Sequence, residues 1–170
     1  MKTAGNVLAI ILALVAQTTL ARFLVRGSLA VDLVLVAVIY IALTSGPGAG
    51  LWSGTVAGLI QDALSGGIIG VGGLAKTIVG FLTGIIGTQF IVAQPFPRFV
   101  VFLAATLLHA TIFVGLYAIL EVRQFGNPYG VAAIGQAVGN AVVGVVAFQV
   151  VGVLPGAVER RRARSQRIRR

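Results

Sequence analysis

The chain has no cysteine, and among its 170 residues only four are acidic and one is histidine. Without cysteine neither a disulfide nor a thiolate metal site can form, and the redox compartment leaves no mark on the sequence. Four acids and one histidine assemble no serine–histidine–acid set, no paired catalytic carboxylates and no metal-ligand cluster, so the chain does not read as an enzyme and implies no cofactor. Charge of either sign is scarce, at 10% of residues against about 25% in soluble domains.

What fills the space is apolar. Hydrophobic residues make up 58% of the chain, mean hydropathy is +1.02, and there are 23 glycines. That combination describes an integral membrane protein, whose helices use small residues to approach one another closely. The length allows one domain. The net charge of +9 is concentrated at one end, because seven of the thirteen basic residues fall between Arg160 and Arg170. That run has no aromatic residue to stack on bases and directly follows an apolar span, so nucleic acid is not its partner. Arg160, Arg161, Arg162 and Arg164 instead read as a positive-inside anchor touching anionic lipid headgroups.

A spanning helix needs about 20 mostly apolar residues. Six segments approach this: 6–21, 29–44, 50–64, 72–92, 99–120 and 131–154. The expected organisation is a six-helix, all-α membrane domain over 1–156 and a basic cytoplasmic tail over 157–170. The first segment also resembles a signal peptide, with Lys2 ahead of an apolar run and Thr19-Leu20-Ala21 as a loose cleavage site. Ser45-Gly46-Pro47-Gly48 closes the second span, and Pro155-Gly156 is expected to stop the sixth. The third is short and polar enough to suit a re-entrant or interfacial helix equally well. With the N-terminus inside, the inner side carries nine basic residues, namely Lys2, Arg98 and the tail. The outer side carries three, Arg22, Arg26 and Arg123, so both termini are expected in the cytoplasm.

The polar positions concentrate around one hairpin. Gly50, Gly54 and Gly58 lie four apart on one helix face, and Asp62 continues the row. This face reads either as plain close packing or as a groove ending in a carboxylate, and Gly80 and Gly84 repeat the spacing on the next helix. Gly66-Gly67-Ile68-Ile69-Gly70-Val71-Gly72-Gly73 lacks the Gly-Lys-Ser/Thr ending of a phosphate loop and is a membrane turn. Across that turn Asp62 and Lys76 lie near the same membrane face. They either pair, or Lys76 extends toward the headgroups.

Elsewhere Asn6 and Gln17 share a face with Ala9 and Ala13, a seam suited to a partner helix. Gln136 and Asn140 form an i, i+4 pair, His109 lies beside Thr106 in the fifth span, and Asp32 stands where a helix N-terminus favours a carboxylate.

The pattern Gly54-xxx-Gly58-xxx-Asp62-xx-Ser65-Gly66-xxx-Gly70, followed by Leu74-Ala75 and Gly80-Phe81, resembles the bacterial rod shape-determining MreD family. Asp32-Leu33-Val34-Leu35 looks like the motif opening that family's second helix, with Val31 where a proline is usual; a turn residue is likewise missing near Ile68 and Ile69. The resemblance implies a non-enzymatic scaffold of the cell-elongation complex in the bacterial inner membrane. Its implied partner is an MreC-like membrane protein and, through it, the MreB filament, RodA and a penicillin-binding transpeptidase that build lateral peptidoglycan. The implied fold is similar to the substrate-binding S-components of energy-coupling-factor transporters. Two other classes stand beside this one: a vitamin or nutrient transporter subunit using Asp62, Gln136 and Asn140, and a channel using Asp62 and His109.

Overall fold

The computed structural model describes residues 2–24, 31–90, 94–120 and 128–168. Among them it is all helical, with six helices: α1 Lys2–Leu24, α2 Leu33–Ser45, α3 Pro47–Ser65, α4 Val71–Gln89, α5 Pro95–Ile119 and α6 Pro128–Ile168. Among the described residues three stretches are long and apolar enough to cross a membrane, Val71–Gln89, Pro95–Ile119 and Gly130–Gly152; Thr3–Thr19 and Leu33–Ser45 are apolar but shorter.

Breakers set the boundaries. A single residue, Gly46, separates α2 from α3, and at φ 89° it occupies backbone space that glycine enters without steric cost. Pro47 follows at the start of α3, where its missing N–H costs nothing. Gly66 ends α3 in the left-handed region at φ 68°, and Gly70 opens α4 at φ 106°. Pro95 begins α5 in the same way as Pro47 begins α3.

Several expected boundaries move. Residues 31 and 32 are not helical, so α2 starts later than 29, and α3 begins at Pro47 rather than Gly50. The helix expected to stop at Pro155-Gly156 runs on to Ile168. Proline removes one hydrogen bond, and the arginine-rich segment beyond it has good helix propensity. Arg160, Arg161, Arg162 and Arg164 belong to this extension; their side chains, that of Arg22, and Arg26 and Arg123 altogether, lie outside the described residues.

The shortest helix is the most enclosed. Seven of the thirteen residues of α2 are buried, including Val34, Leu35, Val38, Ile39 and Ile41, because the other five helices surround it. Leu35, Ile39, Val79, Phe102 and Ala141 form one core cluster, and Leu14, Val34, Val38 and Ala57 form another. A helix this short is held by tertiary packing rather than by propensity.

The closest pairing is α3 on α4. A Cβ added at Gly50 would fall on the Gly80 carbonyl, one at Gly54 on the Lys76 carbonyl, one at Gly58 on Gly73, and one at Gly84 on Pro47. Thr55 and Thr77 share a hydrogen bond of 2.8 Å across the same seam. Of the two readings of the glycine row, close packing is the one seen, and the face is filled from within the chain. Antiparallel glycines bring the two backbones into contact, leaving no room for a third helix on that face.

Candidate functional site

The N-terminus of α2 ends inside the protein, so its free N–H groups need partners there. Gln17 of α1 accepts from Leu33 N at 2.8 Å, and Asp32 Oδ1 accepts from Leu35 N at 2.9 Å. The N–H of Asp32 itself donates to Asn140 Oδ1 at 2.9 Å, and Asn140 Nδ2 donates to Thr106 Oγ1 at 3.2 Å. The helix start that suited a carboxylate in the sequence is thus capped, and the cap recruits α1, α5 and α6.

Asp32 does more than cap. Its Oδ2 lies 3.0 Å from Lys76 Nζ, with side-chain exposures of 4% for the lysine and 8% for the aspartate. Gln61 Nε2 donates to Asp32 Oδ1 at 3.4 Å, and Lys76 Nζ lies 3.4 Å from His109 Nε2. An ammonium only donates, so Nε2 accepts. The cap of α2 and side chains from the other five helices meet in this polar nucleus. Desolvation offsets much of the attraction in a buried pair, so its main consequence is a fixed arrangement.

Lys76 therefore pairs with Asp32, not with Asp62. Asp62 Oδ2 accepts from Gly70 N at 2.9 Å and Gly73 N at 3.0 Å, while Ser65 Oγ donates to the Asp62 carbonyl at 3.2 Å. The carboxylate holds the turn and the first N–H groups of α4, where a negative charge is also favoured by the helix dipole. Backbone donors satisfy it locally, which leaves Lys76 free to reach α2.

The remaining polar residues resolve in the same inward direction. Asn6 Nδ2 donates to Ser45 Oγ at 3.3 Å, and Ala13 packs on the second core cluster, so the expected partner seam of α1 faces α2. Asp32, Gln61, Asp62, Lys76, His109 and Gln136 surround a cavity of about 190 Å³, which Phe113 and Tyr117 of α5 also line. His109 stacks on Phe113 with ring centroids 5.9 Å apart, and Phe113 lies 4.8 Å from Tyr117. Gln61, Phe113 and Tyr117 carried no signal in the sequence reading. The i, i+4, i+8 spacing of His109, Phe113 and Tyr117 places all three on one face of α5. Among the described residues no group of three His, Asp or Glu stands close enough to hold a metal.

These features define an all-helical protein with apolar helices of membrane-spanning length, organised around a polar nucleus rather than a catalytic set. A family model described as rod shape-determining protein MreD matches residues 2–127. The chain belongs to the MreD family. Membership assigns it to bacterial rod-shape determination, as a structural membrane protein and not a member of a known enzyme family. The matched region includes α1 through α5, and so Asp32, Asp62, Lys76 and His109. No curated protein and no solved structure matches the chain.

Proposed function

We propose that the chain is a six-span scaffold of the cell-elongation complex in the bacterial inner membrane, with both termini in the cytoplasm. In this reading it binds an MreC-like membrane protein and, through it, the MreB filament, RodA and a penicillin-binding transpeptidase, supporting lateral peptidoglycan synthesis. The fold is of the S-component kind, and the arginine tail touches anionic lipid. The observation that carries the reading is the family match over residues 2–127.

The structure supports it in two ways. A nucleus tying six helices together suits a rigid platform, and the inward use of the glycine and asparagine seams moves the docking surface to the outside. There Val7, Leu8, Ile11, Leu12 and Val15 leave α1 with an apolar exposed face, and Trp52 of α3 is 69% exposed. Between α1 and α3 run two clefts, one of about 370 Å³ beside Val7, Ile10, Trp52 and Val56, the other of about 610 Å³ beside Leu14, Val15 and Leu64. A single apolar helix of the MreC-like partner fits this crease, which leads from near the start of α1 toward the end of α3.

Affinity capture of the tagged chain from native membranes, read by mass spectrometry, should recover the MreC-like protein. Capture that returns intact chain without it, from cells that keep rod shape, would sink the reading.

A further inference from the structure

Among the described residues the charges around this cavity do not balance. Asp32, Asp62 and Lys76 line it, and the ion pair takes up Lys76 and Asp32 together. His109 enters as a hydrogen-bond acceptor toward Lys76, with no charge to add. Among the described residues no cationic side chain pairs with the other carboxylate, Asp62. Its Oδ2 is used by two backbone N–H groups, whereas Oδ1 takes no hydrogen bond among the described residues. Gly72 keeps space at that oxygen, since a Cβ there would fall on Asp62 Oδ1.

Against this charge stands an aromatic wall. Phe113 and Tyr117 line the same cavity from α5, with ring centroids 4.8 Å apart. Ring faces attract cations, most strongly where water is excluded. The volume of about 190 Å³ is larger than the roughly 150 Å³ apolar cavity that takes up benzene. It is smaller than the ~300 Å³ at which pockets for drug-sized ligands begin.

We propose that this cavity is a binding site for a small organic ammonium ion, held between Asp62 Oδ1 and the rings of Phe113 and Tyr117. A free amine and the ammonium headgroup of a lipid share this chemistry. The site goes beyond the scaffold reading and stands whether or not the MreC-like partner is recovered.

The test uses the full chain in nanodiscs of phosphatidylglycerol, titrated calorimetrically with choline and with its uncharged carbon isostere, dimethylbutanol. Choline should bind saturably and at least tenfold more tightly than the isostere. Asp62→Asn keeps an acceptor for the Gly70 and Gly73 N–H groups but removes the charge, and should weaken choline about tenfold or more. Phe113→Leu leaves the turn untouched and should weaken it about fivefold; it also serves if Asp62→Asn fails to fold. In nanodiscs containing phosphatidylethanolamine, competition with choline identifies the headgroup as a natural occupant, and unchanged affinity identifies a free amine. Absence of choline binding, equal binding of the isostere, or full affinity in both variants would overturn the proposal.

Discussion

Asp32 and Asp62 are both buried carboxylates beside helix starts, yet they are held in different ways. Asp62 is satisfied by its own hairpin, through the N–H groups of Gly70 and Gly73. Asp32 spends one oxygen on its own helix and the other on Lys76, with Gln61 and Asn140 completing a set drawn from separate helices. The first arrangement can form as soon as the hairpin does. The second exists only when the whole bundle is assembled. One carboxylate therefore fixes a turn, and the other fixes the relative placement of helices.

The sharpest way to break this contrast is to remove Lys76. Lys76→Met leaves Asp32 charged and buried, and should cost about 3–5 kcal/mol in a denaturant titration of the protein in detergent. Combining it with Asp32→Ser, which keeps a capping oxygen, should return most of that loss, because the uncompensated charge goes with it. A double variant as unstable as the single one would mean that the ion pair itself, rather than the stranded charge, carries the stability.

Gly54→Leu tests the hairpin from the seam side. The added Cβ falls on the Lys76 carbonyl, and backbone cannot step aside as a side chain can. A loss of about 3 kcal/mol is expected, at the upper end of ordinary overpacking. Because Lys76 itself must shift, the same change should also weaken the Asp32 nucleus. Full stability would mean that α3 and α4 are further apart than their glycines require.

For Asp62 the expected cost is smaller. Asp62→Ala strands two backbone N–H groups and should cost about 2 kcal/mol, whereas Asp62→Asn retains an acceptor and should cost about 1 kcal/mol. Equal losses for the two would show that charge, not hydrogen bonding, holds the turn.

Much of this was legible in the sequence, and the limits have physical reasons. The hairpin, its glycine turn and the Asp32 helix start follow from local chemistry: φ > 0 positions, breakers and capping. The spacing of Gly50, Gly54 and Gly58 gives a face but not the neighbour that fills it. The matching row at Gly80 and Gly84 was the clue that α4 is that neighbour. Local sequence offers Lys76 only Asp62 and the headgroups, because those lie close along the chain. Its true partner is distant in sequence, and nothing local distinguishes a lysine reaching across a bundle from one reaching out. Gln61 carries no local signal, since its role appears only once Asp32 stands opposite it.

The smallest expected change in stability separates the inward face of α3 from the outward one. Trp52 lies two residues from Gly50 and Gly54 but points away from α4, and at 69% exposed it makes little packing contact to lose. Trp52→Ala should therefore change stability by no more than about 0.5 kcal/mol. Its effect belongs to association instead: exposed aromatics that fill a partner's surface are common anchors, and truncating one typically costs more than about 1 kcal/mol of binding. Co-purification with the MreC-like protein should fall at least fivefold while Gly54→Leu, if it accumulates at all, lowers both association and stability. Retained co-purification in Trp52→Ala would move the docking surface off the α1–α3 crease and onto another apolar face of the bundle.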